Sequence, residues 1–217
     1  MEIEFWEQRW QQNQTAFHLP MINPCLVQFW STLNMQPGSQ VFIPLCGKSL
    51  DMAWLAENQY SVLGIECSDQ AINEFFDGQN IQANITEQGP FKLYLAENIR
   101  LLQGDFFALT SSDLNQVAAV YDRASLIALP EVMRQSYVRL LTEILPQNVK
   151  ILLVTLEYNQ SKMAGPPFSV KQDEVLNLFQ PAFNVELLDC NDVLEDHQKF
   201  KQRGLDYLTE CIYRIHR

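Results

Sequence analysis

The run Leu45-Cys46-Gly47-Lys48-Ser49 places a thiol, a glycine, an ammonium and a hydroxyl in consecutive positions. Gly-Lys-Ser alone is not a phosphate loop. That motif needs a second glycine upstream, where Gln40-Val-Phe-Ile-Pro44 stands instead. A single glycine still lets a ligand approach the backbone closely. Glu66 follows Gly47 by about twenty residues, the separation at which an acid accepts the hydroxyls of a ribose. The other reading of Glu66 is a solvated carboxylate at a strand end, adding little to the core. Gly104-Asp105-Phe106 and Tyr121-Asp122-Arg123 close two further apolar runs. Asp122 either caps a turn or belongs to a site, while the guanidinium of Arg123 is a fixed fork of donors suited to a carboxylate. No histidine lies near Cys46 in sequence, so it reads as a buried thiol rather than a nucleophile.

The surrounding pattern supplies the elements that bring these groups together. Residues 40–44, 61–66, 100–104, 117–121 and 149–156 read as strands, with helices over 49–58, from an N-cap at Ser68 through Phe76, and over 130–145 between them. In the first of these helices Leu50, Ala53 and Trp54 share a face, and in the second Ala71, Ile72, Phe75 and Phe76 do. Residues 81–87 and 91–95 flank Gly89-Pro90 as a hairpin. Later come a helix over 171–179, a strand over 183–189, a helix over 192–203 and a strand over 207–215, the relative direction of the last two strands being open. Two N-terminal helices, 2–12 and 23–33, precede the first strand. Their aromatic residues Phe5, Trp6, Trp10 and Phe17 form a packing stripe or lie over the site. Alternating strands and helices imply a parallel sheet covered on both faces, with ligands at the carboxyl ends of the strands. The candidate residues all fall there.

Composition narrows the function. The 217 residues are 47% hydrophobic and 19% charged, which is globular, and no apolar run approaches the ~18 residues of a membrane span. The start, Met1-Glu-Ile-Glu, has no apolar leader region, so no signal peptide is expected. Fifteen basic against 26 acidic residues, net −11, argue against nucleic acid as a partner. Five scattered cysteines without a Cys-x-x-Cys pair, and three distant histidines, read as a reduced cytoplasmic protein with buried thiols and no metal site.

Phe5-Trp-Glu-Gln-Arg-Trp10, Thr15-Ala-Phe-His18, Val41-Phe-Ile-Pro-Leu-Cys-Gly-Lys-Ser49, Gly104-Asp-Phe-Phe107, Tyr121-Asp-Arg-Ala-Ser125 and Gly165-Pro-Pro-Phe-Ser169 together resemble the thiopurine S-methyltransferases, in their bacterial-type branch. The resemblance implies a single domain over 1–217, with residues 1–36 as a helical cover. The implied fold is a class I, Rossmann-like α/β methyltransferase with a seven-stranded, mostly parallel sheet whose last strand is antiparallel. It further implies S-adenosylmethionine as cofactor, contacted by Trp10, Leu45, Glu66 and Arg123. Asp105 and Phe106 would lie beside its adenine, and Trp6, from the cover, would also contact the cofactor. Phe17 and Arg123 would meet the acceptor, joined by Lys199 where the family often has arginine.

The implied reaction is methyl transfer to the sulfur of aromatic or heterocyclic thiols such as thiopurines, and to selenium or tellurium species. It is an in-line displacement that needs positioning rather than a dedicated base. Arg123 would stabilise the thiolate. The expected protein is a monomer acting on a small-molecule thiol, with neither membrane nor nucleic acid as partner. The competing readings are a non-catalytic S-adenosylmethionine-binding module and a nicotinamide-dependent oxidoreductase, the latter lacking its glycine fingerprint.

Overall fold

The computed structural model describes residues 3–15 and 17–217. Met1, Glu2 and Ala16, which the expected cover includes, lie outside the described residues. The strands are β1 (Gln40–Ile43), β2 (Ser61–Glu66), β3 (Asn84–Gln88), β4 (Phe91–Ala96), β5 (Ile99–Gln103), β6 (Val117–Arg123), β7 (Lys150–Glu157), β8 (Asn184–Asp192) and β9 (Thr209–His216). They form one sheet in the order β3-β4-β5-β2-β1-β6-β7-β9-β8. The five central strands, β5-β2-β1-β6-β7, are parallel. β9 inserts antiparallel between β7 and β8.

The expected seven strands with an antiparallel last member are therefore present. The hairpin β3-β4 adds two more by pairing antiparallel onto β5, making nine. The open direction of the last two strands resolves as antiparallel.

The helices are α1 (Ile3–Gln11), α2 (Pro24–Phe29), α3 (Asp51–Glu57), α4 (Asp69–Gln79), α5 (Glu131–Ile144), α6 (Gln172–Phe179) and α7 (Gln198–Gln202). Alternate strand residues point to opposite faces and make two cores. On one face Phe42, Leu63, Val120 and Leu153 pack with Tyr137 and Leu141 of α5 and Phe179 of α6. On the other, Val41, Val62, Ala119 and Leu152 pack with α2, α3 and α4 through Leu26, Met52, Leu55, Ile72 and Phe75.

Two helices depart from the apolar pattern. In α3 the fully buried residues are Asp51, Met52 and Leu55, while the expected Ala53 and Trp54 pack half-buried against the same core and Leu50 is half-buried. Asp51 is buried because both its partners are polar groups of neighbouring elements. Its carboxylate accepts from the Asn23 amide at 2.8 Å and the Tyr121 hydroxyl at 3.1 Å, tying α2, α3 and β6 together. The expected helix 192–203 is instead the end of β8, a 3-10 turn (Leu194–Asp196) and the short α7. Asp192 accepts from the amides of Leu194 and Leu208, and Val193 donates to the Leu208 carbonyl. Those bonds offer the backbone an alternative to a helix.

The register also places Cys190 directly opposite Cys211, Cα atoms 4.1 Å apart, and the two are joined as a disulfide rather than left as thiols. Cys25, Cys46 and Cys67 are free.

Candidate active site

The loop after β1 continues the β1-β2 pairing by one step, the Cys46 amide donating to the Ile65 carbonyl at 2.9 Å. Gly64 in β2 makes room for that loop, since a Cβ there would lie 2.8 Å from Cys46 Sγ and 2.6 Å from Leu101. Cys46 is thus a packing residue, and burial pushes its thiol well above the ordinary value. Leu45 is held at φ 46°, Gly47 at φ 53° and Ala124, after β6, at φ 64°. A left-handed conformation at a side-chain-bearing residue costs about 1 kcal/mol or more and persists only where the surroundings impose it. Here the Ser125 hydroxyl, fully buried, donates to the Pro44 carbonyl at 2.6 Å and locks the two loops to each other.

Glu66 ends β2 facing this loop. It is only 6% exposed, so the solvated strand-end reading is overturned. One carboxylate oxygen accepts from the Gly47 amide at 2.9 Å. The other accepts from the Ser68 amide at 2.9 Å and the Cys67 thiol at 3.2 Å. Burial raises the carboxyl above its ordinary value, and these donors oppose that rise. A carboxylate has about four acceptor positions. Three are used here, one of them by a weak thiol donor.

The N-terminal segment roofs the loop. A Cβ on Gly47 would lie 3.2 Å from the Trp10 ring, so a larger residue would push that ring back by a few tenths of an ångström. Phe17 packs edge-on to both Trp6 and Trp10, at 5.6 and 5.4 Å between centroids. Arg123, the last residue of β6, donates to the Phe17 carbonyl at 3.3 Å. Lys48 pairs with Glu74 of α4 at 2.6 Å and sits 5.7 Å from the Trp10 ring centroid. Asp122 turns the other way. It accepts from the Leu126 amide at 3.1 Å and the Tyr137 hydroxyl at 2.6 Å, which settles its role as a buried turn cap. Its desolvated carboxyl is pushed up to about 6.

These pieces enclose a cavity of about 240 Å³ at the carboxyl edge of the sheet. Of the candidate residues, Trp6, Trp10, Phe17, Leu45, Glu66, Arg123 and Lys199 line it. Asp105 and Phe106 do not. Asp105 caps a 3-10 turn by accepting from the Phe107 amide at 2.9 Å. The Phe106 ring is buried in the core, 4.7 Å from Tyr137.

The cavity also holds Arg9, His18 and Lys48, which lie inside sequence motifs that give them no role, and His197, Arg203 and Glu210, which no local motif singles out. Arg9, three residues after Trp6 on the same helix face, Lys48 in the glycine loop and His18 beside Phe17 each had a usable signal. Five of the lining side chains are lysine or arginine against two carboxylates, so the wall is locally positive within an acidic protein. The His18 pKa is lowered, first by burial and then by Lys48 and Arg123. The far wall is apolar, built from Val154, Leu156, Pro166 and Pro167. Tyr158 holds the proline loop by donating to the Pro167 carbonyl at 2.6 Å, and Gln160 by donating to the Met163 carbonyl at 2.6 Å.

A family model for thiopurine S-methyltransferase matches residues 1–217. A protein of that name from Azotobacter vinelandii is 45% identical over 217 residues, covering all of both chains, and one from Pseudomonas putida is 46% identical over the same span. Among solved structures, an S-adenosylmethionine-dependent methyltransferase from Anabaena variabilis has TM-score 0.66 at 15% identity, covering 99% of this chain and 95% of its own. The Burkholderia thailandensis 1,6-didemethyltoxoflavin-N1-methyltransferase has TM-score 0.64 at 12% identity, covering 99% and 87%. The fold is thus that of the S-adenosylmethionine-dependent methyltransferases. With the whole chain matched and nearly half its residues shared, the chain belongs to the thiopurine S-methyltransferase family.

Proposed function

We infer that the protein transfers the methyl group of S-adenosylmethionine to the sulfur of aromatic or heterocyclic thiols. The observation that carries this reading is the joining, in one cavity, of a buried ribose-type acid on β2 with an arginine at the end of β6. The residues present fit the cofactor. Glu66 keeps an acceptor position and can exchange its weak Cys67 donor for a hydroxyl, so it suits a ribose. The glycine at position 47 leaves the loop backbone bare beneath Trp10. Leu45 completes that floor, Trp6 and Trp10 form the roof, and Arg123 offers donors to a carboxylate. Asp105 and Phe106 enter this reading only through their place after β5, next to Glu66, whose carbonyl the Gly104 amide binds.

When bound, S-adenosylmethionine supplies a methyl group already activated on a sulfonium. The protein's own residues then have two tasks. Arg123, together with Lys199, stabilises negative charge on the acceptor sulfur and so favours its nucleophilic form. Phe17 and the Val154, Leu156, Pro166 and Pro167 wall hold a flat ring in place and exclude water.

We read residues 1–217 as one catalytic unit with 1–36 as its cover, acting as a cytoplasmic monomer on a small molecule. No helix among the described residues is long and apolar enough to cross a membrane, and the net charge of −11 disfavours nucleic acid. Thiopurines, selenium and tellurium species fall within the acceptors such a cavity suits. The test is transfer of radiolabelled methyl from S-adenosylmethionine to a panel of aromatic and alkyl thiols. Labelled product is expected with the aromatic members, and binding of S-adenosylmethionine without transfer to any thiol would overturn the assignment.

A further inference from the structure

Glu210 is a cavity carboxylate to which methyl transfer, as described, gives no task. It stands on β9 opposite Leu156 of β7, at the edge of the sheet where the parallel strands end. Among the described residues its side chain has one hydrogen-bond partner, the Cys25 thiol of α2 at 3.0 Å, and no lysine or arginine within ion-pair distance. A thiol is a weak donor, so most of the carboxylate's acceptor positions stay open to the cavity. Arg123 from β6 and Asp189 from β8 act on the same Cys25 thiol as Glu210 does, and His197, Lys199 and Arg203 line the cavity with it.

The sheet gives a ruler. From β2 the order runs β1, β6, β7, β9. At ~4.8 Å per step, Glu210 lies roughly 19 Å along the edge from the Glu66 strand, with the Arg123 strand halfway. The acid that suits the ribose and this second acid thus stand at opposite ends, with a cation between them. A ring thiol with nitrogen beside the C–S carbon carries its proton on that nitrogen in water, as the N–H thione. Its polarity, positive at N–H and negative at sulfur, matches Glu210 and Arg123 in turn.

We propose that Glu210 accepts the ring N–H of a heterocyclic acceptor bound as its thione, and takes that proton as the sulfur is methylated. The inference rests on the methyl-transfer reading and adds a catalytic base to it. The balance is complete. The methyl–sulfonium bond breaks with its electron pair leaving on the cofactor sulfur, and the thione sulfur forms the new bond to carbon. The N–H electrons return to the ring nitrogen, and the proton goes to the Glu210 carboxylate. The products are the demethylated thioether, the neutral S-methyl heterocycle and a protonated Glu210.

The test compares wild type, Glu210→Gln and Glu210→Asp on two acceptors, ortho-mercaptopyridine, an N–H thione in water, and benzenethiol, which has no ring N–H. Glutamine still accepts the N–H bond but cannot take the proton. The ratio of kcat for the pyridine over the benzene acceptor should therefore fall by roughly 100-fold in Glu210→Gln, with the pyridine KM nearly unchanged. Glu210→Asp should restore part of the ratio. Thermal melting and S-adenosylhomocysteine affinity equal to wild type show that the variants fold. An unchanged ratio in a folded Glu210→Gln overturns the base, and a loss carried by KM reduces Glu210 to positioning. Transfer to neither acceptor by the wild type overturns the methyl-transfer reading itself.

Discussion

Replacing Glu66 with alanine should produce two separable losses. The first is structural, because the carboxylate holds the Gly47 and Ser68 amides, both at 2.9 Å. An orphaned buried donor costs about 1–3 kcal/mol. The side chain lines the cavity, so water can reach both vacated amides, and the lower end, about 2 kcal/mol in total, applies. For a chain of this size that lowers the melting temperature by roughly 4–8 °C. The second loss is of cofactor. A hydrogen bond to a charged group contributes about 1.5–3 kcal/mol, so the dissociation constant should rise roughly 10- to 150-fold. Ligand at a hundred times the wild-type dissociation constant adds about 2.7 kcal/mol to stability, and a hundredfold weaker site at the same concentration keeps only about 0.4 kcal/mol. Melting curves with and without S-adenosylhomocysteine, supported by calorimetry, read both numbers. A lowered apo melting temperature with the full ligand-induced shift retained would refute the ribose role and leave Glu66 as a brace for the loop.

Arg123→Ala should lower kcat/KM for an anionic thiol acceptor by about 1.5–3 kcal/mol, or roughly 10- to 150-fold, and less for a neutral one; equal losses across thiols of graded pKa would exclude charge stabilisation at sulfur. Asp122 titrates at about 6 when folded against an ordinary 3.8, so the folded state binds its proton more tightly. Its contribution is fully present below about pH 4 and is lost as the pH rises through 6, a difference of about 3 kcal/mol. Asp122→Asn should flatten that dependence in chemical denaturation between pH 4 and 7, because an amide can still accept from Leu126 and meet the Tyr137 hydroxyl; an unaltered slope would show that Asp122 is not the titrating group.

How far the sequence could be read depended on whether a residue's role was local. The parallel strands declare themselves through buried runs such as Ile151-Leu-Leu-Val154, and Glu66 through its distance from Gly47. Asp51 widened the buried face of α3 beyond the apolar stripe, because a carboxylate with two partners can be buried beside Met52 and Leu55 while Ala53 and Trp54 stay half-buried. The helix expected at 192–203 failed because Asp192 bonds backbone amides from both sides of the turn. Glu210 and His197 carry no spacing signal, since only the insertion of β9 beside β7 brings that part of the chain to the cavity. Phe106 shows the opposite limit. A residue carried over from a family motif turned out to have its ring in the core.

The N-terminal cover has a consequence for the order of events in turnover. Trp10 rests on Gly47, whose amide binds the carboxylate assigned to the ribose. Phe17 rests on Trp10 in turn, and its carbonyl is pinned by the arginine assigned to the acceptor sulfur. The two layers are thus coupled through Trp10 and Phe17. That coupling predicts ordered turnover, with the cofactor binding before the acceptor and S-adenosylhomocysteine leaving last; product inhibition in which S-adenosylhomocysteine is not competitive with S-adenosylmethionine would refute the order.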